Sequence, residues 1–200
     1  MKKLLFVAVL AALFSGVLAS CTSGKSESAT IPAPTPTPIA TPTPPPPPSN
    51  DTWRDEKTGL TWEASPPKKW IGWVPAKSYC QNLSLGGFND WRMPTVSELR
   101  TLIRGCPATQ KGGSCGITDK CLNQSCERES CKGCSFGGGP GPGGAYWPPE
   151  LSGELGAYQA SHVADSDFLV WTISFGLARI RSTSAGTAGN GGGDYVRCVR

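Results

Sequence analysis

From Trp73 onward the apolar positions Trp73, Ala76, Tyr79, Cys80 and Leu83 recur three or four residues apart, and Gly86-Gly87 ends the run. That spacing predicts a first helix. A second is predicted after Pro94. Thr95 and Glu98 stand at capping-box spacing, Val96, Leu99 and Ile103 line one face, and the run stops near Arg104-Gly105. Before the first helix, Thr52 to Asp55 and Leu60 to Glu63 flank a turn ending in Gly59, which predicts an opening hairpin anchored by Trp53 and Trp62. Three segments rich in β-branched and aromatic residues close the chain, Phe168 to Phe175, Leu177 to Arg181 and Asp194 to Arg200. Residues 105–156 carry neither period; they hold six cysteines and abundant glycine, the mark of an irregular insert. Hairpin, two helices, insert and closing strands make an α+β domain whose first and last strands pair.

The start of the chain is patterned differently. Met1-Lys2-Lys3 precedes an apolar run from Leu4 to Leu18, too short and wrongly flanked for a spanning helix but suited to a secretory leader. The run closes with Leu18-Ala19-Ser20-Cys21, which resembles the bacterial lipobox, so residues 1–20 are expected to be a lipoprotein signal peptide and Cys21 the lipidated N-terminus. Thr22, in place of Asp, resembles lipoproteins sorted to the outer membrane. Residues 21–50 then form a Pro/Thr-rich linker. Ten of the 19 prolines fall between residues 32 and 48. Polyproline II rises about 3.1 Å per residue, so twenty such residues hold a domain off the membrane by roughly 60 Å.

Composition narrows the rest. All seven Trp follow the linker, which leaves residues 51–200 as the one region able to bury a core. Net charge is +4, and loss of Lys2 and Lys3 with a leader lowers it to +2, too little for a general nucleic-acid binder. Nine cysteines are odd for an exported chain, and acylation of Cys21 restores parity. The remaining eight, Cys80, Cys106, Cys115, Cys121, Cys126, Cys131, Cys134 and Cys198, imply four disulfides. Cys131-Lys132-Gly133-Cys134 has the spacing of a redox or zinc motif, but the only histidine is His162, and export favours disulfides. No catalytic, metal or cofactor site is expected. His162 lacks a recognisable nucleophile elbow. Asp165 and Asp167, or Glu127 and Glu129, read as solvated loop carboxylates, and Asp165-Ser166-Asp167 lacks the pattern of a calcium loop. Asp90 and Arg92 are expected to pin the loop before the second helix, with Glu98 closing its cap.

Gly59-Leu60-Thr61-Trp62, Ala76 to Leu83, Gly87-Phe88-Asn89-Asp90-Trp91-Arg92-Met93-Pro94-Thr95 with Glu98-Leu99, and Tyr195-Val196-Arg197-Cys198-Val199 resemble the Lcl C-terminal domain family, the module that ends a collagen-like bacterial adhesin. The resemblance covers roughly residues 52–104 and 145–200 and leaves out the cysteine-rich insert. It implies a C-type-lectin-like fold, with two helices against a small twisted antiparallel sheet and long disulfide-stapled loops. It further implies a Cys80 to Cys198 bridge; the other six cysteines keep fifteen connectivities open. Tyr158-Gln159-Ala160-Ser161 stands where the family usually shows Tyr-Trp-Ser-Ser, so a tryptophan for sugar stacking is missing there. With Cys198 turned inward toward Cys80, alternation places Val196 inward and Tyr195, Arg197 and Val199 outward. Ile180 inward leaves Arg179 and Arg181 outward. Arg179, Arg181, Tyr195 and Arg197 are therefore expected to share one exposed face suited to acidic or sulfated glycans. The expected function is a non-enzymatic envelope lipoprotein with a lectin-like adhesin domain, anchored in the membrane by lipid. Its partners would be a glycan or a surface protein, with nucleic acid excluded and a homo-oligomer allowed by the family's trimeric adhesin tips. The alternative is a structural envelope lipoprotein with protein contacts only.

Overall fold

The computed structural model describes residues 50–164, 169–185 and 194–200; the expected leader, Cys21, the linker, and Asp165 and Asp167 lie outside the described residues. Strands β1 (Thr52–Arg54) and β2 (Thr61–Glu63) form the opening hairpin, with Trp53 opposite Trp62. Helix α1 (Trp73–Gln81) buries Ala76 and Cys80. Helix α2 (Val96–Thr101) starts at the predicted cap: Glu98 N donates to Thr95 Oγ1 at 3.1 Å, and Thr95 N donates to Glu98 Oε2 at 2.8 Å. Such a box satisfies two of the amides that a helix start leaves without partners. Strands β3 (Ala157–Val163), β4 (Leu169–Ser174) and β5 (Arg179–Ser184) make an antiparallel sheet in the order β3-β4-β5.

Strand β3 lies where the sequence pattern predicts none. Tyr158, Gln159 and Ala160 are all buried, so successive residues do not alternate between core and solvent and period two is lost. Strand β5 also runs further than Leu177 to Arg181, because residues 175–178 are a turn with Ala178 at φ 52°. The last segment forms bridges rather than a regular strand, Tyr195 with Tyr158 and Val199 with both Trp62 and Arg92. First and last segments do pair: Thr61 and Arg200 exchange two backbone hydrogen bonds, at 3.0 and 2.9 Å.

That closing segment separates two apolar clusters. Val196 and Cys198 pack with Ala76, Cys80, Trp91 and Met93, whereas Val199 joins the larger cluster built on Trp62, Leu99, Trp147, Tyr158, Trp171 and Ile173. Here the sequence expectation needs correcting. Arg197 and Val199 do not face solvent; both are 0% exposed. Alternation holds, but both faces of the segment are covered. The Arg197 guanidinium lies 4.8 Å from the Trp147 ring centre and 5.5 Å from that of Tyr158. It donates to the carbonyls of Glu63 at 2.5 Å, Ala64 at 3.0 Å and Ser152 at 2.5 Å. Burial pulls its pKa down, opposed by Tyr158 and Glu63, yet a guanidinium remains charged in a protein. Arg197 thus ties the end of β2 and the loop at Ser152 to the closing segment.

Four disulfides staple the domain. Cys80 joins Cys198, the pairing that the family resemblance implied; the insert is closed by Cys106–Cys134, Cys115–Cys131 and Cys121–Cys126. Cys131 and Cys134 bond to different partners, so their CxxC forms neither a redox pair nor a pair of thiolate ligands. Arg100, buried at the end of α2, donates to the carbonyls of Thr109, Gln110, Cys115 and Ile117 and organises the insert as Arg197 organises the closing loops.

Candidate functional site

On the outer face of the sheet Arg179 stands opposite Ser174 and Arg181 opposite Thr172, while Ile180 between them is buried. Both arginines therefore point the same way, as expected. Tyr195 joins them, because its backbone hydrogen-bonds to β3: Tyr195 N donates to the Ala157 carbonyl at 2.8 Å and Gln159 N to the Tyr195 carbonyl at 2.9 Å. The Tyr195 ring lies over Gly156, where a Cβ would come within 2.4 Å of it, so any side chain at position 156 would displace the ring. Arg179, Arg181 and Tyr195 line one open groove of about 360 Å³; Arg197 does not reach it.

A fourth contributor escaped the sequence reading. Trp70 lines the same groove and is 61% exposed, unusual for so large an apolar side chain. Gln159 holds it in place. The Gln159 amide donates to the carbonyls of Ile71 at 2.6 Å and Asp194 at 3.1 Å, and Ile71 N donates to the Asp194 carbonyl at 3.1 Å. The residue that replaces the expected tryptophan thus clamps the segment carrying a different one. The contact spans 88 residues, and its only sequence trace is a tryptophan directly after Lys68-Lys69.

Among the described residues the groove also holds one carboxylate, that of Asp194. Burial raises its pKa, while the Thr183 hydroxyl, donating at 3.0 Å, and the positive charge of Arg181 act the other way. The Arg179 side chain has no hydrogen-bond or ion-pair partner among the described residues, so a guanidinium with five donors stands at the groove unused. Rings and free guanidinium together can stack on a flat apolar surface and grip an anion beside it.

The remaining candidates are structural. Arg92 forms a two-pronged ion pair with Glu98, at 2.8 and 2.6 Å. Asp90 accepts from Arg200 at 2.6 and 3.2 Å, and that guanidinium lies 3.5 Å from the Phe88 ring centre. Asp119 Oδ1 accepts from Ser97 N at 3.0 Å and ties the insert to α2, while His162 Nδ1 lies 3.8 Å from that oxygen and makes no hydrogen bond among the described residues. Glu129 pairs with Lys132, and Glu127 accepts from Ser182 N.

The α+β domain, its pinned loops and its Cys80–Cys198 closure define a small disulfide-stapled module. The chain matches the Lcl C-terminal domain family over residues 51–200 and belongs to that family. No curated protein matches it.

Proposed function

We propose that this chain is a non-enzymatic, lipid-anchored bacterial envelope protein whose domain, of C-type-lectin-like type, binds an acidic or sulfated glycan in the groove formed by Trp70, Arg179, Arg181 and Tyr195. One observation carries the reading: two arginines on one strand face converge with two aromatic rings on a single open groove. Guanidinium groups give charge-assisted hydrogen bonds to sulfate or carboxylate, and the rings give stacking surface for a pyranose. Arg197, buried elsewhere, takes no part in binding.

The test is retention of the full-length protein on heparin. The parent should be retained and should elute as salt rises, because exposed charge pairs are screened within about 8 Å at physiological ionic strength. Arg179→Gln with Arg181→Gln should abolish retention while shifting stability by less than about 0.5 kcal/mol, as for surface substitutions in general. Equal retention of both proteins would overturn the anionic-glycan reading. Exposed Val74 and Phe136 favour the alternative, a structural lipoprotein that makes protein contacts only. Silence across an array of acidic and neutral glycans would select it. Anchorage, proposed at the outer membrane through Cys21, predicts that Cys21→Ser blocks processing or releases the chain from membranes, because each buried CH₂ of an acyl chain contributes about 0.8 kcal/mol. A variant that fractionates and matures like the parent would remove the anchor from the proposal.

A further inference from the structure

Arg179 and Arg181 belong to two cavities. Besides the groove with Trp70 and Tyr195, both line a second, open depression of about 490 Å³ on the other side of β5, walled by the insert through Glu127, Arg128, Glu129 and Lys132. Strand β5 is the edge of its sheet, and the insert lies along that edge. Three contacts set the approach: Cys134 N donates to the Leu177 carbonyl at 2.7 Å, Gly137 N to the Gly176 carbonyl at 2.8 Å, and Ser182 N to Glu127 Oε2 at 3.4 Å. Gly133 permits it, since a Cβ there would meet the Leu177 oxygen at 2.1 Å. Cys131 and Cys134, bonded to Cys115 and Cys106, flank Lys132, and Arg128 lies between Cys131 and Cys126, which is bonded to Cys121, so the turn that carries both cations is stapled on each side.

We propose that the two cavities form one continuous anion track, in which the stapled insert supplies Arg128 and Lys132 and the ligand is a polyanion long enough to cross the ridge made by Arg179 and Arg181. The inference rests on reading the first groove as a glycan site, and it gives the insert a role in binding. Two residues along a strand are separated by about 7 Å, so the ridge presents charges at an interval that a chain with repeated anionic groups can follow. Of the two acidic residues that line the second cavity among the described residues, Glu127 already accepts the Ser182 amide. Glu129 pairs with Lys132 at 2.8 Å, where both side chains are mostly exposed, and an exposed pair of this kind is weak enough for a polyanion to displace. The Arg128 carbonyl accepts from Cys131 N at 2.9 Å, while its guanidinium has no hydrogen-bond or ion-pair partner among the described residues.

The experiment measures affinity of the full-length protein in detergent for a heparin-derived tetrasaccharide and decasaccharide. The parent should bind the longer chain more tightly. Arg128→Gln with Lys132→Gln should keep tetrasaccharide affinity within about twofold and lose about tenfold on the decasaccharide, the sum of two exposed charge pairs. Glu129→Gln, which frees Lys132, should strengthen only the decasaccharide. The Arg179→Gln, Arg181→Gln protein should lose both ligands. If the insert variant keeps the full gain with length, or the parent shows none, the second cavity plays no part and the first groove stands alone. A parent that binds neither oligosaccharide overturns the glycan reading and the track with it.

Discussion

The insert and the closing frame both lack regular ladders, yet they are closed at different ranges. In the insert the disulfides span 5, 16 and 28 residues, and Arg100 reaches carbonyls 9 to 17 positions along the chain. In the frame one disulfide spans 118 residues, and the Arg197 guanidinium reaches back 134 positions to Glu63. A buried guanidinium does the same work in both, gathering carbonyls from segments that no regular ladder joins. The frame, however, depends on contacts that form only when the two ends of the domain meet. The insert is fixed by its own neighbourhood and can present Arg128 and Lys132 as a preset surface.

Removing Arg197 should break the frame with the largest effect. Arg197→Met keeps apolar bulk between Trp147 and Tyr158 but takes the guanidinium from the carbonyls of Glu63, Ala64 and Ser152, of which Ala64 still accepts from Ser152 N, a loss of about 3–5 kcal/mol on the scale of broken buried networks. Arg100→Met should cost about 2–3 kcal/mol, because Arg100 itself lines an open depression with Lys111 and Lys120, from which water can replace part of the pairing. Urea denaturation of both variants measures the gap. An Arg197→Met protein as stable as the Arg100 variant would show that the frame does not depend on its long-range guanidinium.

The staples should follow the same order. Loop-closure entropy predicts about 4–5 kcal/mol lost when Cys80 and Cys198 are both replaced by Ala, and about 2 kcal/mol for the Cys121, Cys126 pair. Thermal melting of the two double variants checks the ranking. Equal losses would mean that the two ends of the domain are already held near each other in the unfolded chain, and the contrast of range would carry no energetic weight.

Legibility in the sequence divides along the same line. The α2 cap and the hairpin are local patterns, and both formed as the residues predicted. The Cys80–Cys198 closure came from family resemblance, since no local feature encodes a pairing 118 residues apart. Arg197 was misplaced because alternation tells which residues share a face but not whether that face is covered. Trp70 was missed for a related reason: what makes it a groove wall is the Gln159 amide, 88 positions from the Ile71 carbonyl it holds. A buried glutamine in a segment without period two gives no sign of its partner. The insert's three pairings were equally unreadable, because spacing alone does not choose among fifteen.

The smallest expected effect is a slope with pH, and it probes the frame at Glu63. This carboxylate is buried; it accepts from the Tyr79 hydroxyl at 2.5 Å and from Cys198 N at 3.1 Å. Burial raises its pKa above the ordinary 4.5, and the hydrogen bonds from Tyr79 and Cys198 and the charge of Arg197 offset this only in part. A carboxyl whose pKa is raised on folding binds its proton more tightly in the folded chain. The stability it contributes is therefore complete below its unfolded value and is lost as pH rises through the folded value. Glu98 and Asp90, both lowered through arginine partners, act in the opposite sense, but they are common to parent and variant and cancel in the difference. Urea midpoints taken from about pH 4 to about pH 7 should thus show the parent losing ground to Glu63→Gln as pH rises, whatever constant offset the substitution brings. Parallel curves for parent and Glu63→Gln would mean that water reaches Glu63, and that the frame around Cys198 is more open than its contacts imply.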